Sequence, residues 1–389
     1  MHGIFSVLRL LIVLVPATST FITSESLGDE KRKESSSIAY PKVDAFLGEK
    51  LQENEAEIAA KISKIITTTL RKKYRPGNLR RDAHPKEHGC LRAVFKIEQS
   101  LNKKFTKGVF VPGNSYQAWI RFSNGNEDPD RPDSEGDGRG MAIKLLGVEG
   151  ETLLEADRNA GTQDFIMISH PVFLINDASD YLNLIEYVNS ENSIVRFLRP
   201  LLIPTALGIK GTVIATRTTS KKIDNPLKAR YWSMVPYQLG TGPDREAIKF
   251  SARPCSPHTH RVPDKPDKDF LRHAMQETLS AGDACMEFLV QPRTSPSLSV
   301  EDSQTEWPEP KAPFYKVARI HIPRQSFDTP ERNKFCENLS FNPWHALLAH
   351  RPLGAVNRMR KVIYEHVSAF RHKMNDTPQR EPSLYDPDS

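Results

Sequence analysis

"YQAWIRFSNG", residues 116–125, is a short β-type run closed by an Asn-Gly turn signal, and it sets Arg121 and Ser123 together at one strand end. Runs of the same kind lie on both sides of it: "LRAVFKIEQ" (91–99), "GVFVPG" (108–113), "RGMAIKLLGV" (139–148) and "DFIMISHPVFLI" (164–175). Gly-, Pro- and Asp-rich turns separate them, among them "NGNEDPDRPDSEGDGRG" at 124–140. Further along come "ARYWSMVPYQLG" (229–240), "AIKFSARP" (247–254), "MEFLVQP" (286–292) and "FYKVARIHI" (314–322). Helical spacing appears instead at 49–73, where Ile58, Ile62, Ile65, Ile66 and Leu70 share a face and Pro76-Gly77 ends the helix. Residues 178–198 read as a second helix and the chain is helical again from 345. Strands enclosed by helical segments predict an α+β protein whose antiparallel sheet closes into one barrel, with flanking N- and C-terminal helices.

The chain has 389 residues, 38% of them hydrophobic and 26% charged, enough to bury one large core or two medium ones. The net charge of +6 is spread along the chain, and the one dense basic run, Arg71 to Arg75, is short and ends a helix. With no zinc spacing, no RNA-binding aromatic signature and no basic arm, no nucleic-acid partner is expected. The four cysteines, Cys90, Cys255, Cys285 and Cys336, permit two disulfides without implying them. Residues 1–22 read as a secretory signal: Arg9 precedes an apolar run from Leu10 to Val15, and small residues follow Pro16. A retained membrane anchor, with membrane association through 1–22, is the alternative. Residues 23–45 read as a flexible linker, 46–377 as the folded domain and 378–389 as a disordered tail.

Several polar residues sit in stretches that ordinary packing does not explain. "RDAHPKEHGC" (81–90) places Arg81 three residues before His84, with His88 a further four on. Arg139 is flanked by glycines, and Ser169 and His170 interrupt an apolar run, where buried polar groups need partners. On a helix, Arg360, Tyr364 and Arg371 fall within about 40° of one another, putting two guanidiniums beside one phenol. His258-Thr259-His260 offers two ring nitrogens for a metal, or is simply exposed on its Pro-rich loop.

The order of these motifs resembles the haem-binding core of the catalase family. The family's Arg-x-x-His-x-Lys is matched by Arg81, His84 and Lys86, its Arg-Phe-Ser by Arg121-Phe122-Ser123, and its Arg-Gly by Arg139-Gly140. Its Asn-x-Pro-x-Phe is matched by Ser169-x-Pro171-x-Phe173, and its Arg-x-x-x-Tyr with a later Arg by Arg360, Tyr364 and Arg371. The resemblance is similar in kind to the minimal catalase-related proteins, since the long wrapping segment and extra C-terminal domain of large catalases are not seen. It implies a catalase-like antiparallel β-barrel binding one haem b.

On that resemblance, Tyr364 is the iron ligand and Arg360 the cation that supports its phenolate. Arg81, Arg121 and Arg371 would hold the haem carboxylates, and Gly140 and Phe173 belong to the same cofactor site. His84 would be the base that moves a proton between the peroxide oxygens, oriented by Ser123, with His88 its rival. Ser169 stands where the family has an asparagine that holds bound peroxide, and its shorter hydroxyl can still donate. The activity implied is decomposition of hydrogen peroxide or reduction of an organic hydroperoxide. A fatty-acid hydroperoxide lyase or allene oxide synthase-type reaction, or a non-catalytic haem-binding module, is the alternative.

Overall fold

The strand-forming runs of the sequence close on themselves. A computed structural model describes residues 38–384. The fold described is that of the compact unit that begins at Ala39. The targeting segment expected at 1–22 lies outside the described residues. In chain order the elements are α1 (Glu55–Lys73), β1 (Glu87–Ile97), β2 (Ser115–Ser123), β3 (Gly140–Leu146), β4 (Thr162–Ile168), α2 (Ala178–Asn189) and α3 (Ser193–Thr219). There follow β5 (Tyr231–Trp232), β6 (Tyr237–Leu239), β7 (Glu246–Pro254), α4 (Phe270–Ala281), β8 (Ala284–Pro292), β9 (Tyr315–Ile322), α5 (Pro330–Asn338) and α6 (Ala355–Met374).

All the strand pairings are antiparallel, in the order β5-β4-β3-β2-β1-β9-β8-β7, and β5 pairs back onto β7 to close the ring. The short β6 adds to β7 outside that circuit. Closure leaves no long unpaired edge. Inside, Phe95, Phe110, Phe165, Phe250 and Phe288 meet ring to ring, with centroids 4.8–6.3 Å apart, and all five are buried. Each such ring buries a large apolar area, so the barrel interior is a packed core and not a channel.

Several elements differ from the sequence reading. Residues 108–113 form turns, not a strand, and bury Val109 and Phe110 as a plug against the core. The helix expected at 178–198 is interrupted at Ser190–Asn192, where Asn192 caps a new helix that runs on to Thr219. The strand through 164–175 stops at Ile168, before Ser169-His170-Pro171. Part of the expected linker is structured, since Asp44 caps a short turn and pairs with Arg245 at 2.7 Å. Likewise the tail is not loose throughout: Glu381 reaches the buried Lys144. One disulfide forms, Cys255–Cys285, while Cys90 and Cys336 are buried thiols.

α6 is fixed by charge. Arg358 is fully buried and bonds Glu49 at 2.7 Å, Glu55 at 2.8 Å and Glu301 at 2.9 Å, as well as the Lys50 carbonyl at 2.9 Å. Glu49 and Glu301 also accept the Gly354 and Ala355 N–H groups at the start of α6, each at 2.8 Å. Carboxylates suit a helix N-terminus, where N–H groups lack partners within the helix. Replacing Arg358 with Ala leaves these acids without their shared cation. The expected loss is about 3–5 kcal/mol in urea unfolding, and a loss below about 1 kcal/mol would contradict the role given to this cluster.

Candidate active site

One cavity of about 880 Å³, open solvent at its mouth included, collects most of the singled-out residues. It is bounded by α1, the segment before β1, strands β2 to β4 and α6. Arg81, His84, Arg121, Ser123, Gly140, Tyr364 and Arg371 all line it. Much of the rest of the wall is apolar, as at Ile66, Met141, Met167, Phe341 and Ile363.

His84 is held in an unusual backbone state. Its φ is 60°, in the left-handed region that costs a non-glycine residue about 1–3 kcal/mol. Arg121 Nη2 donates to the His84 carbonyl at 2.8 Å, and the Asn124 N–H to the Lys86 carbonyl at 2.9 Å, which pin the turn from both sides. Lys86 is itself locked between Asp133 and Asp269, at 2.8 Å each. The His84 Nδ1 lies 3.1 Å from Ser123 Oγ. Ser123 ends β2 and pairs with Gly140 at the start of β3. A Cβ on Gly140 would sit 2.6 Å from His84 Nδ1 and 2.7 Å from Ser123 Oγ, so only glycine leaves room for the imidazole and hydroxyl. Burial, reinforced by the nearby Arg121 cation, pushes the His84 pKa down to about 4, so the ring is neutral at ordinary pH. His88 is buried elsewhere, 2.8 Å from Asn124 Oδ1, and does not line the cavity.

Tyr364 comes from α6 with Arg360 one turn before it. Both Arg360 Nε and Nη2 donate to the Tyr364 hydroxyl oxygen, at 3.2 and 3.0 Å. Arg360 Nη1 donates to Asn357 Oδ1 at 3.3 Å, which sets the plane of the guanidinium. Asn357 was legible in principle, since it lies three residues before Arg360 on the same helix.

Two of the other three arginines gather on backbone oxygens at the end of α5, and Arg121 lies near them. Arg81 donates to the carbonyls of Cys336, Glu337 and Leu339, and Arg371 to those of Glu337 and Leu339. Burial, with Arg81 and Arg121 nearby, lowers the Arg371 pKa to about 9. Arg81 is lowered for the same reasons, burial first and then Arg121. The nearest acids are Glu87, 3.7 Å from Arg121, and Glu337, 3.7 Å from Arg371. The Nε atoms of Arg81 and Arg121 are buried without a hydrogen-bond acceptor. Three crowded guanidiniums with unused donors suit a ligand that carries carboxylates.

Three expected residues are not on this wall, and one of them, Arg360, meets the site only through the Tyr364 hydroxyl. Ser169 is buried with its Oγ accepting the Arg139 N–H at 2.9 Å, and it ties the ends of β3 and β4 together. Phe173 packs edge-on to Tyr181, centroids 6.0 Å apart. Ser169 and Phe173 both lie beyond the point where β4 ends, and neither lines the cavity. Arg139 is likewise structural, bonded to Asn124 and to the Asp133 and Glu135 carbonyls. His258 and His260 both face Asp224, at 2.8 and 2.7 Å, and this trio braces the Pro-rich loop behind Cys255. Asp82 was not singled out by sequence, yet it lines the cavity, its pKa raised to about 6 by burial and by Glu127.

Fold and site together define a closed antiparallel barrel with a tyrosine, a histidine and three arginines around one apolar cavity. Residues 72–194 match the family model described as catalase. Two solved structures share the fold. A fungal catalase is 16% identical with a TM-score of 0.59, over 77% of this chain and 60% of that one. Catalase A from Saccharomyces cerevisiae is 16% identical with a TM-score of 0.58, over 85% of this chain and 67% of that one. The chain thus spans about 60% of the length of the first of these. No curated protein sequence matches it. The likeness to catalases is thus one of sequence over residues 72–194 and of fold over a longer stretch.

The Gly140 contact gives a direct test. Gly140→Ala should cost about 1–3 kcal/mol from overpacking and displace the His84 ring. Histidine-selective NMR should show shifted His84 resonances, and unchanged signals would contradict the packing described.

Proposed function

We propose that this protein is a haem-dependent oxidoreductase that decomposes hydrogen peroxide or reduces an organic hydroperoxide. The observation that carries this reading is one cavity lined by Tyr364, which Arg360 grips from behind, by the His84–Ser123 pair and by three crowded arginines. Tyr364 would be the iron ligand, and Arg81, Arg121 and Arg371 would hold the propionates of haem b. The haem would supply the redox-active iron for cleavage of the O–O bond.

The chain's own residues do the rest. Arg360 gives two N–H groups to the Tyr364 oxygen and so holds the phenol in place. His84 is neutral and therefore able to accept a proton from a peroxide oxygen and return it to the departing one. Ser123 and Gly140 hold its ring in place for both transfers. Much of the wall around these groups is apolar.

The test is oxygen release from hydrogen peroxide by the full chain supplied with haem, beside product analysis with a fatty-acid hydroperoxide and a reducing donor. Oxygen release or the reduced alcohol is expected. His84→Ala should lower the rate about 10²–10⁴-fold. Because the His84 pKa is depressed, the rate should be flat above about pH 5 and fall below about pH 4 as the ring takes a proton. A rate no greater than that of free haem, or an unaffected His84→Ala variant, would overturn the proposal. Rearranged product formed without a donor would instead identify a hydroperoxide lyase or isomerase.

A further inference from the structure

The helix hairpin of α2 and α3 has no role in the chemistry above, and its outer face is unlike the rest of the surface. Ile194, Phe197 and Leu201 are 67%, 82% and 68% exposed. They follow helical spacing and fall within about 60° of one another. After a break at Gly208, whose φ is 63°, the second half of α3 shows Ile209 at 89% exposed. Single exposed apolar residues are unremarkable, but a helix face that shows Ile194, Phe197 and Leu201 together marks an interaction surface.

The charge pattern is one-sided. Residues 193–223 contain six cations, Arg196, Arg199, Lys210, Arg217, Lys221 and Lys222, and no Asp or Glu. Three of the six have partners within the domain. Arg199 donates to the Tyr187 and Ser190 carbonyls, Lys210 pairs with Asp302 at 3.7 Å, and Lys221 donates to the Ser169 carbonyl at 2.8 Å. Arg196, Arg217 and Lys222 are exposed.

We propose that α3 lies in the plane of an anionic lipid surface, with Phe197, Leu201 and Ile209 in the apolar boundary and the exposed cations against the headgroups. A helix with large apolar residues on one side and Lys or Arg on the other is the form that binds such an interface. By length and composition alone α3 could cross a membrane. Its inner side, however, is packed: Ala206, Leu207 and Ile214 are buried, and a Cβ on Gly211 would lie 2.5 Å from the Leu174 carbonyl. The helix is therefore held flat against its own domain. A second copy docked face to face would bring two sets of cations together without a carboxylate from α3 to offset them, whereas acidic headgroups complement them. The inference does not depend on haem binding.

The experiment is co-sedimentation of the full chain with phosphatidylcholine vesicles, with and without phosphatidylserine. Binding is expected only with phosphatidylserine, and it should weaken as salt is raised. A Phe197→Asp/Ile209→Asp double variant should bind at least tenfold less while keeping its circular dichroism spectrum and melting midpoint, since both side chains are exposed. Absence of binding by the wild type would overturn the proposal. So would equal binding by the double variant, which would place attachment elsewhere, such as residues 1–22. A dimer in sedimentation velocity that the double variant abolishes would identify a second copy as the occupant and equally overturn it.

Discussion

The buried cation at Arg358 is the constraint on which the rest depends. One guanidinium gathers Glu49 and Glu55 from the N-terminal side of the barrel and Glu301 from the segment after β8. Burial alone would lower its pKa, but these carboxylates outweigh that and raise it. Taking so many charges out of water is tolerable only when every one is satisfied, and here the backbone N–H groups that open α6 complete the set. The result is a helix whose start cannot slide or rotate. Tyr364 lies six residues beyond Arg358, about 9 Å along the axis, so its position is inherited from this anchor.

The opposite anchor is the strand register. β2 and β3 pair so that Ser123 faces Gly140, and the missing side chain of one makes space for the hydroxyl of the other and for His84. The strained turn at His84 survives because Arg121, itself in β2, grips its carbonyl. Arg121 therefore belongs to two structures at once, the turn that holds the imidazole and the cationic wall of the cavity. A rigid barrel carries one half of the site and a charge-locked helix the other.

Much of this was legible in the sequence, and what was missed has physical reasons. The barrel strands showed because Gly, Pro and Asp punctuate them sharply. Arg121 and Ser123, and Arg360 and Tyr364, showed because strand and helix periods place them together. His84 and His88 could not be separated by spacing, since the left-handed turn that aims His84 at the cavity leaves no mark beyond Pro85. The carbonyls of Cys336, Glu337 and Leu339 that organise Arg81 and Arg371 carry no side-chain signal at all. Ser169 and Phe173 were read as part of an extended run, and the strand ends before them, at Ile168. The part of α3 beyond residue 198 was not anticipated: Pro200 and Pro204 lie inside it, and at Gly208 the helix breaks.

The central claim is that Tyr364, supported by Arg360, is an iron ligand, and its most direct test is the absorption spectrum of the haem-supplied chain beside that of Tyr364→Phe. The account predicts a Soret band and a high-spin ferric spectrum for the wild type, and loss of that spectrum in the variant, which keeps the ring but lacks the oxygen. An identical spectrum from Tyr364→Phe, or no Soret band in the wild type, would contradict it.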